Sequence, residues 1–118
     1  MKKIKTFNYL KHYRENSGFS LQDMAGVLGM NPATLSRIES GIITPNLEVI
    51  LGYQSILDIS SERLFKEHLR MLITYCLEKA KDVQDDLLDQ KSTKFIHKRL
   101  SLLDIIISRL QDLKADYE

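Results

Sequence analysis

Apolar side chains return every three or four positions along most of this chain, separated by short polar stretches. That spacing predicts helices joined by tight turns. Leu21, Met24, Ala25 and Leu28 give one apolar face, with Ser20 as a cap before it and Asp23 three residues on. Gly29 follows at once, suited to the left-handed conformation that ends a helix. Asn31 then caps a second short helix, and Pro32 takes its first position, where a missing N–H costs nothing. Leu35 and Ile38 face inward there, which leaves Ala33, Thr34, Ser36 and Arg37 on the outer face, and Gly41 closes the unit. Around this pair the pattern predicts a first helix over 6–16, with Phe7, Leu10 and Tyr13 toward the core, and a break at Ser17-Gly18. A fourth helix is expected over 46–57, with Leu47, Ile50, Leu51, Ile56 and Leu57 on its core face and Tyr53 in a packing role.

Beyond a short break at 58–61, a single long helix is predicted over 62–89. Its stripe is Phe65, Leu69, Leu72, Cys76, Ala80, Val83 and Leu87, stepping by four and three. A polar turn over 90–93, with Ser92 or Thr93 as a cap, leads to a last helix ending near Ala115. There Ile96, Leu103, Leu110 and Tyr117 are seven apart, Ile106 and Leu113 likewise, Leu100 and Ile107 widen the stripe, and Leu102 and Ile105 lie off it. A two-helix hairpin cannot bury so many apolar groups alone. It is expected to pack on the N-terminal part, on a second copy, or on both.

Composition narrows the function classes. At 118 residues the chain suits one domain, or a small domain with an oligomerisation element. The formal net charge is only +1, so any affinity for nucleic acid must come from a local patch. Lys2, Lys3 and Lys5 form a basic arm that is either simply solvated or in contact with phosphate. The start MKKIKTFNYL lacks the apolar run of a secretory signal, and LLDIIISRL is too short to span a bilayer. One cysteine excludes an intrachain disulfide and fits a reducing compartment, so a cytoplasmic location is expected. His12, His68 and His97 have no ligand spacing and no catalytic constellation appears, so no enzyme, metal or cofactor is expected. The acidic run Asp82, Asp85, Asp86, Asp89 is flanked by Lys79, Lys81 and Lys91 and reads as a solvated helix face.

Residues from about Phe7 to Ser60 resemble the Cro/repressor-type (XRE) helix-turn-helix family. The matching positions are Leu10, Arg14-Glu15, Gly18-Phe19-Ser20, Met24-Ala25, Leu28-Gly29-Met30, Thr34 through Glu39, Gly41 and Pro45. The resemblance implies an all-α, lambda-repressor-like DNA-binding domain of about five helices, here followed by a C-terminal helical hairpin. It also implies that Arg14 and Glu39 form a partly buried ion pair tying the first helix to the end of the third. Two departures stand out. Pro32 occupies a position where relatives often read a base, and Ile42-Ile43 replace the Lys/Arg that commonly touch phosphate. Gln22 is displaced by one from the Gln that the family often carries, which turns it about 100° around the helix.

The expected organisation is thus a DNA-binding domain over 1–60 and a dimerising hairpin over 61–118. Candidate contacts to double-stranded DNA are Gln22, Asn31, Ala33, Thr34, Ser36, Arg37 and Lys5. Small and hydrogen-bonding groups on an exposed helix start suit the major groove, and an Arg can grip guanine or phosphate. The function expected is a dimeric, sequence-specific transcriptional regulator on an inverted repeat. The alternative is an antitoxin-like or adaptor module that keeps the fold without strong DNA binding, which Pro32, Ile42-Ile43 and the low net charge favour. No membrane partner and no small-molecule ligand are expected.

Overall fold

The computed structural model describes residues 7–117. Among these it has seven helices and no strand: α1 Leu10–Asn16, α2 Leu21–Leu28, α3 Pro32–Glu39, α4 Leu47–Leu57, α5 Ser61–Leu64, α6 Lys66–Leu88 and α7 Lys94–Asp116. The chain divides into two compact units, the first ending at Leu69 and the second starting at Arg70. The division thus falls within α6, later than the residue 60 expected from the sequence. Leu64 of α5 shows why, being wholly buried in the first unit's core.

That core joins Leu10, Met24, Ala25, Leu35, Ile38, Val49, Tyr53 and Leu64, one or two from each of α1 to α5. Burying each large side chain contributes about 1.5–3 kcal/mol, so the five short helices stand through packing rather than through their own propensity. Ser60 accepts a hydrogen bond from the Arg63 N–H and starts α5 as a separate turn.

Three sequence expectations are corrected here. Helix α1 begins at Leu10, not near residue 6, because the chain before it is engaged elsewhere. Asn8 Oδ1 accepts from the Leu10 N–H, Asn8 Nδ2 donates to the Ile38 carbonyl, and the Tyr9 N–H donates to the Leu64 carbonyl. Phe7, expected in the core, is exposed. Next, α4 buries Val49 and Tyr53, whereas Leu47 and Leu51 are 63% and 48% exposed and Ile56 is also exposed. Finally, the long helix expected over 62–89 is broken at Phe65, whose φ of −125° and ψ of 30° leave the helical range. Leu64 and Phe65 both pack on the first core, which turns the chain there.

In the second unit α6 and α7 make a hairpin with a polar turn, and Thr93 caps α7 by accepting from the Ile96 N–H at 3.1 Å. Leu77, Ala80 and Ile107 form its core, with Leu103 and Leu110 packed against them. Gln84 donates to Asp104 across the hairpin at 2.8 Å. The buried stripe of α6 is Ile73, Leu77, Ala80 and Leu87. Leu72 and Val83, expected inward, are exposed, and Cys76 is half-buried, so the helix is turned by about one residue from the expected stripe.

Candidate nucleic-acid interface

The helix-turn-helix geometry is written in local chemistry. Ser20 Oγ accepts from the Asp23 N–H at 3.0 Å and starts α2. Gly29 ends it at φ 68°, a left-handed conformation that costs an L side chain about 1–2 kcal/mol. The Met30 N–H closes the turn on the Ala25 carbonyl at 2.9 Å. Asn31 Oδ1 accepts from the Ala33 N–H at 2.8 Å, and Pro32 is the first residue of α3. Three residues between the helices suffice because Gly29 ends α2, Asn31 starts α3 and Met30 closes the turn between them.

Helix α3 is fixed on its inner side at several points. Leu35 and Ile38 are buried. Glu39 lies at its end, and its carboxylate accepts from Arg14 Nε at 2.8 Å and Arg14 Nη2 at 3.0 Å. The remaining Arg14 nitrogen, Nη1, donates to the Phe19 carbonyl at 2.9 Å, so the guanidinium spans α1, the start of α2 and α3. Tyr53 Oη donates to Glu39 Oε2 at 2.6 Å and brings α4 into the same cluster. The hydrogen bond with Glu39 raises the Arg14 pKa, against the effect of burial, so Arg14 stays charged. After α3, Gly41 turns at φ 82° and the Arg37 carbonyl accepts from the N–H groups of Ile42 and Ile43.

With that inner side locked, the outer side is presented as a rigid face. Asn31, Ala33, Ser36 and Arg37 are exposed and Thr34 is half-buried. Gln22 is exposed on α2. Lys5, with Lys2 and Lys3, lies outside the described residues. Lys11 sits 3.8 Å from Glu15, so part of its charge is answered locally. Arg37 is the cation that α3 itself supplies. The two isoleucines diverge: Ile43 packs against the core, while Ile42 is 63% exposed.

Sequence reasoning placed Tyr53 in the packing but missed its hydrogen bond to Glu39, and it missed Asn8. Tyr53 is flanked by alternatives on an apolar helix, and only its burial beside a carboxylate reveals the polar role. Burial first, then the hydrogen bond and charge of Glu39, push its phenol well above the ordinary 10.0. The raised value means that the contribution of protonated Tyr53 to stability is complete below about pH 10 and is lost as pH climbs beyond it. Tyr53→Phe is therefore expected to lose about 1.5–3 kcal/mol at neutral pH, the worth of a hydrogen bond to a charged group. Urea melts at rising pH should show this difference shrinking above the ordinary tyrosine range.

Among the described residues no group of three or more His, Cys, Asp or Glu could hold a metal ion, and no helix is long and apolar enough to cross a membrane. A helix-turn-helix domain model matches residues 8–64. A Pyrococcus horikoshii protein named, by inference, as an HTH-type transcriptional regulatory protein is 39% identical over 49 residues, covering 42% of this chain and 16% of its own length. The chain thus spans a small part of that relative. No solved structure matches the chain. The capped α2–turn–α3 unit, the three-helix tie at Glu39 and the family match agree: residues 8–64 are a helix-turn-helix domain.

Proposed function

We propose that this protein is a sequence-specific, DNA-binding transcriptional regulator that acts as a dimer on an inverted repeat. The observation that carries the reading is the outer face of α3, where Ala33, Ser36 and Arg37 are exposed on a helix clamped from behind by Arg14, Glu39 and Tyr53. In this reading α3 enters the major groove. The methyl groups of Ala33 and Thr34 meet thymine, Ser36 and Asn31 reach base edges or phosphates, and Arg37 grips guanine or phosphate. Gln22 and Lys5 contact the backbone. Pro32 offers no polar group, so readout is short and leans on DNA shape. Two-fold symmetry then places half-sites about 34 Å apart, or a multiple of that.

The test is selection of genomic fragments by the purified protein at two salt concentrations, repeated with Arg37→Ala. An enriched palindrome that weakens with salt is expected. Arg37→Ala should cost about 1–3 kcal/mol and relax one base position if it reads guanine, or lower the salt slope by about one if it binds phosphate. A lack of enrichment at either salt would overturn the reading. The second reading, a protein-interaction module, is favoured by one observation, the exposed Ile42 where a phosphate-binding cation would serve better.

A further inference from the structure

Helix α7 carries a second face that its hairpin does not use. Ile96, Leu103, Ile107 and Leu110 turn toward α6, yet Phe95, Leu102, Ile105, Ile106 and Leu113 are exposed, Phe95 by 68%. At 100° per residue, Lys94, Lys98, Ile105, Asp112 and Asp116 fall within about 40° of arc on the side away from α6. All five are exposed. Phe95, Leu102, Ile106 and Leu113 make a parallel stripe beside them, again within about 40°.

The order along these stripes is antisymmetric. The first reads basic, basic, apolar, acidic, acidic from the N-terminal end, with its midpoint at Ile105. The second is apolar throughout and is symmetric about Asp104, one residue before the midpoint of the first. A surface with this pattern is its own complement when turned end over end. Such self-complementarity is what a two-fold interface between identical chains requires.

We infer that two copies of this chain pair through antiparallel α7 helices, with the two-fold axis passing beside Ile105. This rests on the dimeric reading above and names the surface that serves it. In this register Lys94 meets Asp116 of the partner subunit, Lys98 meets Asp112 of the partner subunit, and Ile105 meets its own copy. Phe95 lies beside Leu113 of the partner subunit, and Leu102 beside Ile106 of the partner subunit, each offset by about 3 Å along the helix because the second stripe is centred one residue earlier. The apolar pairs supply the attraction, and the charged pairs set direction and register, because the parallel arrangement would put like charges together. Arg109 lies between the stripes, where its stem covers apolar surface and its head reaches the rim. The outer face of α6 lacks this symmetry: Met71, Leu72 and Tyr75 are exposed at one end and Asp82, Asp85 and Asp86 at the other, so an antiparallel α6 pair would set apolar groups against acids.

The test uses the full chain, with sedimentation equilibrium and a short bis-maleimide cross-linker. In a Cys76→Ser background, Ile105→Cys should cross-link to its copy and Tyr75→Cys should not. Lys98→Glu and Asp112→Lys should each weaken the dimer by about tenfold, since each sets like charges face to face. The two together should restore it, which a merely disrupted fold would not do. Tyr75, Lys98, Ile105 and Asp112 are exposed and Cys76 is half-buried, and circular dichroism checks that the helices persist in each variant. A dimer that ignores both reversals, with no Ile105→Cys product, overturns this interface and leaves the dimeric reading standing. A monomer at every concentration overturns both.

Discussion

Replacing Glu39 by alanine is expected to remove about 3–5 kcal/mol of folding free energy, the cost of breaking a fully buried ion pair by deleting one partner. The loss is large because one carboxylate answers three donors, at 2.8 Å and 3.0 Å from Arg14 and 2.6 Å from Tyr53. Without it the Arg14 guanidinium stays buried with the Phe19 carbonyl as its remaining partner in this cluster, and the Tyr53 hydroxyl loses its acceptor. Domains commonly hold only about 5–15 kcal/mol in all, so the variant sits near the edge of stability. The double variant Arg14→Met with Glu39→Leu should recover much of the loss, because apolar groups of similar volume need no partner. Urea denaturation of the three proteins, compared at unchanged m-value, measures the coupling. A Glu39→Ala loss below about 1 kcal/mol would mean that the pair behaves like a solvated surface bridge.

This cluster also shows what a chain reveals about itself before it is folded. The limits of α2 and α3 could be read from four residues, Ser20, Gly29, Asn31 and Pro32, because capping acts within one turn of chain. The Arg14 to Glu39 contact, twenty-five residues apart, came from the family resemblance and not from periodicity. Where neither local chemistry nor resemblance applied, the pattern was ambiguous. In α4 apolar side chains fall on more than one face, so counting could not choose between the face of Leu47 and Leu51 and the face of Val49 and Tyr53. The choice was made by tertiary contacts, including the phenol that meets Glu39. The same holds for α6, where Leu72 and Ile73 or Cys76 and Leu77 are adjacent apolar pairs and a shift of one residue exchanges the stripes. The break at Phe65 had no glycine or proline to announce it and follows from what Leu64 and Phe65 pack against. For the candidate interface, the sequence gives the cast of side chains and the fold decides which are presented.

Ala33→Glu is expected to separate DNA binding from folding, because the two respond with opposite signs. Ala33 is exposed at the second position of α3, and its N–H is already satisfied by Asn31. The first turn of α3 contains no acid. A carboxylate there faces the positive end of the helix dipole and should raise stability by about 0.3–1 kcal/mol at low salt. If α3 lies in the major groove as proposed, the same carboxylate is driven among phosphates and base acceptors. Like-charge juxtaposition of this kind costs several kcal/mol, so affinity should fall by about 100-fold or more. Thermal melts paired with fluorescence anisotropy on the selected palindrome read the two effects on one preparation. A variant that melts at or above the parent temperature and still binds DNA within about threefold, a difference of roughly 0.7 kcal/mol, would show that the outer face of α3 does not meet DNA. The exposed Ile42 surface would then be the next to test for a protein partner.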